Sequence, residues 1–480
     1  PNVTGSLHLG HALTATLQDV LIRWKKMSGF NTLWLPGTDH AGIATQMIVE
    51  KELKKTEKVS RHDLGRDKFI ERVWAWRAEK GGTIINQLKR MGASCDWDRE
   101  RFTMDEGLSR AVREVFVRLY KEGLIYKGDY IVNWCPRCHT ALADDEVEHD
   151  PTDGKLYHIR YPYADGSGHV VVATTRPETM LGDTAVAVHP DDERYKAYVG
   201  KEYNVTFCGV PLTIKVVADH TVDKEFGTGA LGVTPAHSRI DWDIAQRHKL
   251  DVKPVINEYA KMTVGDERII GKKVAEAREA IVTWLKEEGL LVGEEDVKQN
   301  VSTAERTGAV IEPLPKLQWF IAVNKPFTLK HSNIKGLSAG DMVTLKELMG
   351  KVVENKQVEI LPERFNKTYF QWIDNLGDWC ISRQIWYGHR IPVWYKKSGE
   401  QEELVIDTNA PEGNEWEQDP DTLDTWFSSG LWTFSTLGWP DENADDLRTY
   451  HPTQLLETGY DILFFWVARM VLMSTYHLGE

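Results

Sequence analysis

The chain has 480 residues and a net charge of −14 at pH 7, with 41% hydrophobic and 27% charged residues. This length suits two or three domains, and the composition is typical of a globular protein. The apolar run at 462–473 is too short for a membrane span and contains Arg469, and the negative charge argues against a protein that coats nucleic acid. Five cysteines do not make a disulfide framework, which favours a reducing, cytoplasmic setting.

The first residues combine histidines and glycines at the start of a predicted helix. Residues 1–11 read Pro-Asn-Val-Thr-Gly-Ser-Leu-His-Leu-Gly-His, and an apolar period follows in Leu13, Leu17, Val20, Leu21 and Trp24. A helix N-terminus favours phosphate, Gly5 and Gly10 lack a Cβ that would block its approach, and His8 and His11 share one face of the first turn. Taken alone, the segment indicates either a nucleotide site or a structural turn with polar histidines.

A strand and a carboxylate are predicted about thirty residues later. Leu33-Trp34-Leu35 leads through Pro36-Gly37 into Thr38-Asp39-His40-Ala41-Gly42-Ile43-Ala44-Thr45-Gln46, where a second helix begins. Strand, helix and strand in this order are typical of a parallel doubly wound sheet, whose ligands lie at the carboxyl ends of the strands. Together, the two stretches resemble the nucleotide-binding half of class I aminoacyl-tRNA synthetases, and the second is similar to the valine-specific branch.

This resemblance implies a substrate set and roles for the first motifs. The partners would be valine, ATP with Mg²⁺, and tRNA(Val), with no membrane, and the protein is expected to be a monomer. By resemblance, His8 and His11 would stabilise the α-phosphate, Gly10 would contact ATP, and Asp39 would bind the valine ammonium.

Further elements precede the middle of the chain. The basic stretch from Lys51 to Lys80 is either a surface for a polyanion or a solvated helical surface. A long helix is predicted through Val112, Phe116, Leu119 and Tyr120, ending at Gly123.

A single Cys-x-x-Cys pair, Cys135 and Cys138, follows this helix. A structural zinc site needs four ligands. Some family members supply a second cysteine pair after a motif like residues 389–395. This chain has the motif but no cysteine pair after it, so His139 and His149 would have to complete a Zn²⁺ site. Cys95, Cys208 and Cys380 are predicted to be small core residues.

From about 150 to 315, short apolar runs alternate with turns, which predicts a β-rich α+β domain. The runs are Leu156–Ile159, Val170–Ala173, Val186–Val188 and Thr213–Val217. Two motifs, 173–179 and 227–241, carry hydroxyls and charges beside rigid turns, and each could be only a structural turn.

By resemblance, this insertion is the editing domain of the family. A site shaped for valine cannot strongly reject threonine, so a second site must hydrolyse the wrong ester. Asp241 would hold the substrate ammonium, and Thr175, Arg176, Thr179 and Thr234 would line the pocket. Positioned water is the expected nucleophile, since no Ser-His-Asp arrangement is evident. The family often has lysine at Gly232 and aspartate at Ser238, which puts full editing strength in doubt.

After a predicted rigid linker at 312–315, the chain returns to a mixed, tryptophan-rich texture. The segments 378–384, 423–429 and 457–466 again resemble the catalytic domain. By resemblance, Gly459 and Asp461 would hold adenosine, whereas the valine pocket would be walled by Pro1, Trp426, Ile462 and Trp466. Trp372, Trp379 and Trp394 are expected to be ordinary core residues.

The predicted architecture is α/β, with a doubly wound parallel, Rossmann-like catalytic sheet interrupted by the editing domain. Its parts are residues 1–149, 150–315 and 316–480. The second signature of the family, a Lys-Met-Ser-Lys-Ser loop, has no match in this sequence and is expected beyond Glu480. The chain is therefore interpreted as a fragment. Two alternatives stay open. One is a free-standing editing or tRNA-binding protein with a vestigial sheet, and the other is a small nucleotidyltransferase.

Overall fold

The computed structural model describes residues 5–162, 168–398 and 401–480. The chain forms two units: unit 1 comprises Pro1–Lys127 and Trp319–Glu480, and unit 2 comprises Gly128–Gln318. These limits differ from the boundaries at 149/150 and 315/316 in the sequence analysis, because the strands that connect the units belong partly to each. Within the described ranges, no helix is long and apolar enough to cross a membrane.

The helices and strands alternate along much of the chain, and the predicted α/β class is confirmed. The helices are α1 (Leu9–Met27), α2 (Gly42–Thr56), α3 (Arg61–Leu64), α4 (Arg66–Arg90), α5 (Glu106–Lys121), α6 (Arg239–His248), α7 (Val274–Glu287), α8 (Leu345–Glu354), α9 (Arg364–Asp374), α10 (Thr425–Ser429), α11 (Trp432–Ser435), α12 (Asp445–Tyr450) and α13 (Arg469–Leu478). Short 3₁₀ helices lie at Trp97–Arg99, Asp144–Glu146, Pro177–Gly182 and Tyr460–Ile462, and a π-helix lies at Leu463–Ala468.

Most strands of unit 1 are only two residues long, and most strands of unit 2 are longer. The boundaries between the two units fall within β3 and β12. The strands are β1 (Gly37–Thr38), β2 (Arg101–Phe102), β3 (Ile125–Cys135), β4 (Thr140–Leu142), β5 (Val147–Pro162), β6 (His169–Thr174), β7 (Ala185–Val188), β8 (Glu202–Phe207), β9 (Val210–Ala218), β10 (Ala230–Val233), β11 (Leu291–Ala304), β12 (Glu312–Ile321), β13 (Phe327–Thr328), β14 (Met342–Val343), β15 (Trp379–Cys380), β16 (Ser382–Arg383), β17 (Val393–Ser398), β18 (Gln401–Ile406), β19 (Glu417–Gln418) and β20 (Thr422–Leu423).

The core of unit 1 surrounds α5. The Asp105 carboxylate caps this helix by accepting the Leu108 N–H (2.9 Å), and Gly123 follows with a φ of +70°, which favours glycine. The apolar face of α5 packs against α10, α11 and the Trp319 ring, in a core that also includes residues of α8 and α13. Strands β1 and β2 are parallel, with Gly37 opposite Arg101, and β17 pairs antiparallel with β18 and β19.

Unit 2 contains two principal sheets. The four-stranded sheet has the order β10-β7-β9-β8, in which β7 and β9 are parallel, and the three-stranded antiparallel sheet has the order β11-β5-β6. Strands β5 and β11 form a long ribbon that pairs Val147 with Ala304 at one end. The apolar runs predicted as strands at 156–159, 170–173, 186–188 and 213–217 all lie within β5, β6, β7 and β9, so these predictions are confirmed.

Three local predictions differ from the structure. The strand expected at Leu33–Leu35 is wrong, and regular pairing begins at Gly37, because Pro36 has no N–H to donate to a ladder. The linker expected at 312–315 is wrong, since these residues begin β12. The first helix forms as predicted, but its apolar face is exposed and Ala15 is its buried residue.

Candidate functional site

The two N-terminal histidines cap α1. The His8 Nδ1 accepts the Gly10 N–H (3.1 Å), and the His11 Nδ1 accepts the His8 N–H (3.3 Å). Because both Nδ1 atoms accept, the neutral rings carry their protons on Nε2. Burial, followed by the charge of His8, lowers the pKa of His11. A Cβ at residue 10 would lie 3.0 Å from the His8 ring, so Gly10 allows this cap. The first turn therefore offers ring N–H donors beside backbone donors.

The Asp39 carboxylate follows β1 and is fixed from two directions. One oxygen accepts the Ala41 N–H (2.6 Å), and the other accepts the Ser429 hydroxyl of α10. Ala41 is left-handed, with a φ of +47°, and begins the turn into α2. The Asp39 side chain keeps 20% of its exposure, and burial raises its pKa although both hydrogen bonds oppose this shift. A partly accessible, preorganised carboxylate of this kind suits an ammonium ligand.

A pair of buried histidines supports the Asp39 turn. The Thr103 hydroxyl accepts the His40 N–H (2.9 Å) and contacts the His40 Nδ1 (2.7 Å), while the Thr103 carbonyl oxygen lies 2.8 Å from the His389 Nε2. Burial lowers the pKa of both histidines to about 3, so both are neutral at physiological pH. They therefore act as neutral hydrogen-bonding groups that hold the turn.

The aromatic residues predicted for the amino acid pocket meet at α10. The Trp466 indole N–H donates to the Ser429 carbonyl oxygen (3.3 Å), and the ring of Trp426 lies 5.6 Å from that of Phe465. Thus Asp39 and Trp466 both bind Ser429, and Trp426 lies on the same helix. Sequence reasoning missed Ser429 as a site residue, although it belongs to the Asp-Thr-Trp-Phe-Ser-Ser segment that carried the resemblance.

The other residues predicted for this unit have less definite places. Ile462 is half-buried at the end of the 3₁₀ helix Tyr460–Ile462, and Gly459 and Asp461 are exposed. Pro1 lies outside the described residues. The structure therefore links Asp39 and Trp466 through Ser429 and places Trp426 on the same helix. The functional roles assigned to all of these residues stay predictions.

In unit 2, Thr234 lies between two buried carboxylates. Its backbone N–H donates to the Asp241 Oδ2 (2.9 Å), and its hydroxyl donates to Asp183. Asp183 also accepts the Tyr161 hydroxyl (2.6 Å). Burial raises the pKa of Asp183 to about 7 and that of Asp241 to about 6. Sequence reasoning identified Thr234 and Asp241 but missed Asp183 and Tyr161, because a lone aspartate before a strand carries no motif.

Arg176, predicted to line the same pocket, is held by carboxylates. Its Nε donates to Glu178 (3.0 Å), its Nη2 donates to Glu312 (2.6 Å), and Glu178 also binds Arg278. The Thr179 hydroxyl donates to the Arg176 carbonyl oxygen (3.0 Å), whereas Thr175 is half-buried nearby. The guanidinium is therefore already neutralised by protein groups, which sequence reasoning did not anticipate.

The residues predicted for a zinc site do not form a set of four ligands in the described part of the chain. Cys135 and Cys138 form a disulfide, which leaves no thiolate for a metal ion in this structure. The His139 ring packs 5.0 Å from that of Tyr259, and the His149 Nδ1 lies 3.3 Å from the Ser302 hydroxyl. Within the parts of the chain that the structure describes, no group of three or more His, Cys, Asp or Glu could hold a metal ion. These residues do not fit a zinc site as they stand.

The chain is similar in sequence to known proteins along its whole length. The family model described as tRNA synthetases class I (I, L, M and V) matches residues 1–412 and 401–480. The valine–tRNA ligase of Desulfotalea psychrophila is 56% identical over 489 residues, which cover 100% of this chain and 52% of that protein. The corresponding ligase of Geobacillus stearothermophilus is 51% identical over 481 residues, again covering 100% and 52%.

The chain spans about half the length of the curated relatives that it matches. Among solved structures, Mycobacterium tuberculosis methionyl-tRNA synthetase bound by methionyl-adenylate matches with 13% sequence identity and a TM-score of 0.45. That match covers 98% of this chain and 53% of the other, and a likeness so slight supports no conclusion about the site.

Proposed function

Since the chain belongs to the class I tRNA synthetases of the isoleucine, leucine, methionine and valine group, we propose that unit 1 binds valine and ATP and forms valyl-adenylate. The observation that carries the proposal is the Asp39 carboxylate, fixed by Ser429 and Ala41, with the Trp466 indole bound to the same serine. A carboxylate at an aromatic wall suits a ligand with an ammonium and a small aliphatic side chain. The names of the similar ligases favour valine.

The proposed chemistry is displacement at the α-phosphate. The valine carboxylate oxygen attacks the α-phosphorus, the new C–O–P linkage forms, and the bond to the pyrophosphate oxygen breaks. His8 and His11 would donate Nε2–H hydrogen bonds to α-phosphate oxygens as charge develops there. Mg²⁺ usually binds through substrate phosphates with one or two protein carboxylates, so it would arrive with ATP. Gly459 and Asp461 are proposed for adenosine, and transfer to tRNA(Val) would follow.

The amino acid site can be tested by titrating the 480-residue chain with non-hydrolysable valyl- and isoleucyl-adenylate analogues in a calorimeter. We expect the valyl analogue to bind more tightly, because a pocket shaped for valine excludes the extra methylene. Asp39→Asn should weaken binding by about thirtyfold or more, since removal of one partner of a desolvated charge pair costs about 2–5 kcal/mol.

Asp19→Asn is the matched control, because Asp19 likewise accepts a serine hydroxyl, from Ser94 (2.6 Å), but belongs to α1. Unchanged affinity in Asp39→Asn would contradict the assignment, and tighter binding of the isoleucyl analogue would contradict the choice of valine. The alternative of an editing protein with a vestigial sheet predicts no binding of either analogue.

For unit 2 we propose hydrolysis of threonyl-tRNA(Val), with Asp241 holding the substrate ammonium. The support is the pair of buried carboxylates around Thr234. Asp241→Asn should reduce hydrolysis of the threonyl ester, whereas Asp243→Asn, which changes an exposed carboxylate of the same helix, should leave it unchanged. Equal rates in both variants would contradict the role of Asp241. Zinc is not part of the proposal, because Cys135 and Cys138 are bonded to each other.

A further inference from the structure

The hydroxyl of Thr234 donates its only proton to a buried group of the protein, the Asp183 carboxylate. Thr234 is 4% exposed, and its partners Asp183 and Asp241 are 2% and 6% exposed. The hydroxyl donates to the Asp183 Oδ1, while the neighbouring backbone N–H donates to Asp241. A hydroxyl has one donor and two acceptor positions. Once its proton is given to Asp183, its oxygen can only accept from any further group.

The second oxygen of Asp183 fixes the direction of this bond. The Asp183 Oδ2 accepts the Tyr161 hydroxyl at 2.6 Å. An ionised carboxylate accepts and cannot donate, so both hydroxyls must point their protons toward it. Gly232 leaves room for this arrangement, because a Cβ at that position would lie 2.8 Å from the same oxygen and 3.2 Å from the Val172 side chain.

We propose that Asp183 is a specificity-determining positioning residue, which makes Thr234 an acceptor that selects a substrate side chain carrying a hydrogen-bond donor. The inference rests on the proposed hydrolytic function of unit 2. Threonine has an O–H where valine has a methyl group, so threonine can satisfy the Thr234 oxygen and valine cannot. A buried polar group that is left without a hydrogen-bond partner strongly weakens the binding of the wrong ligand. An apolar site, in contrast, discriminates poorly between such isosteres.

Protonation of Asp183 should remove this selection. Burial raises the pKa of Asp183 to about 7, the hydrogen bonds from Thr234 and Tyr161 oppose the shift, and the Asp241 charge adds to it. The groups that face Asp183 are therefore Tyr161 of β5, Thr234 after β10 and Asp241 of α6. A protonated Asp183 can donate its own proton, which leaves the Thr234 hydroxyl able to rotate and to donate. Selectivity should then fall as the pH drops through about 7.

The test measures kcat and KM for hydrolysis of threonyl-tRNA(Val) and of valyl-tRNA(Val) by the 480-residue chain. Asp183→Ala should lower the ratio of the two kcat/KM values by about tenfold or more, because the net contribution of one hydrogen bond corresponds to about that factor. Asp219→Ala is the matched control, because Asp219 is also a buried aspartate of unit 2 (5% exposed) and binds Arg247. Its ratio should equal that of the wild type.

The pH dependence supplies a readout that does not require the alanine variant to fold. The wild-type ratio should fall between pH 8 and pH 6, and the Asp183→Asn ratio should stay constant because an amide does not titrate. Asp241 would hold the ammonium that both esters share, so its direct effect on the two rates cancels in the ratio. Its effect on the charge of Asp183 is absent from the Asp183→Asn variant. A pH-independent wild-type ratio, or an unchanged ratio in Asp183→Ala, would overturn the inference alone. A wild-type chain that hydrolyses neither ester would refute the proposed function, and the inference with it.

Discussion

Replacement of Glu178 by glutamine should destabilise unit 2 strongly. Glu178 is completely buried and accepts three hydrogen bonds from guanidinium groups, one from Arg176 (3.0 Å) and two from Arg278 (2.8 Å each). Arg176 also binds Glu312, so two cations face two carboxylates. Glutamine keeps the shape of the side chain but leaves one positive charge unbalanced.

The expected loss is about 3 kcal/mol of unfolding free energy. Breaking a buried ion pair by removing one partner costs about 3–5 kcal/mol. The low end applies here, because the Arg278 side chain is 33% exposed and can turn toward water. Burial alone would raise the pKa of Glu178, yet Arg278 and Arg176 outweigh it and hold the pKa below its usual range. The stabilisation is therefore present at neutral pH and is lost as the pH falls, so the difference between wild type and variant should narrow in acid.

Hydrogen exchange read by mass spectrometry over 177–182 and α7 would report this loss locally. Glu193→Gln is the control, because Glu193 is 80% exposed in its pair with Lys196 and should change stability by less than about 0.5 kcal/mol. A loss below about 1 kcal/mol in Glu178→Gln would refute the idea that this network holds unit 2 together.

Three other changes test unit 1. Gly37→Ala should lower the melting temperature, because the new Cβ would overlap the Trp432 ring and lie 2.8 Å from the Arg101 carbonyl oxygen. The expected cost is about 1–3 kcal/mol. The control Gly82→Ala should raise the melting temperature slightly, because residue 82 lies inside α4 with open space around it. Ala41→Gly should raise stability by up to about 1 kcal/mol in urea unfolding, since left-handed backbone disfavours alanine, and a loss would contradict this strain. Binding of the valyl analogue should weaken on acidification, and this loss should begin at a higher pH than for an unperturbed aspartate because burial raises the pKa of Asp39. In Ser429→Ala the loss of binding should begin at a still higher pH, since the Ser429 hydrogen bond lowers this pKa. A shift of the loss to lower pH would contradict the Ser429 bond.

Local patterns predicted the elements better than the boundaries between them. The strands around 170–173 and 186–188 and the helix through Val112 were predictable, because their apolar residues repeat within a few positions and turns bound them. The strand at Leu33–Leu35 failed on a backbone property of Pro36. The segment at 312–315 was interpreted as a linker from its prolines, yet Glu312 is buried at the start of β12 and binds Arg176.

The candidate sites were only half predictable, for a related reason. Asp39 and Thr234 lie in motifs that resemblance singles out, but their partners come from distant segments. Ser429 is 390 positions from Asp39, and Asp183 is 51 positions from Thr234. No spacing rule links such residues, since only the packed fold brings them together. The engagement of Arg176 by Glu178 and Glu312 was hidden for the same reason.

The orientation of the Asp39 carboxylate depends on residues that are distant from it in the sequence. The Gly42 N–H donates to the Thr425 hydroxyl (3.0 Å), and the Gln46 Oε1 accepts the Trp386 N–H (2.8 Å). A Cβ at residue 42 would lie 2.9 Å from the Ile385 side chain and 3.0 Å from a backbone oxygen, so only glycine permits this approach. The first turn of α2 is thus fastened to two late segments of unit 1. Substitutions at 385–387 or at Thr425 should therefore change amino acid affinity without contacting the ligand, because they move the turn that orients Asp39.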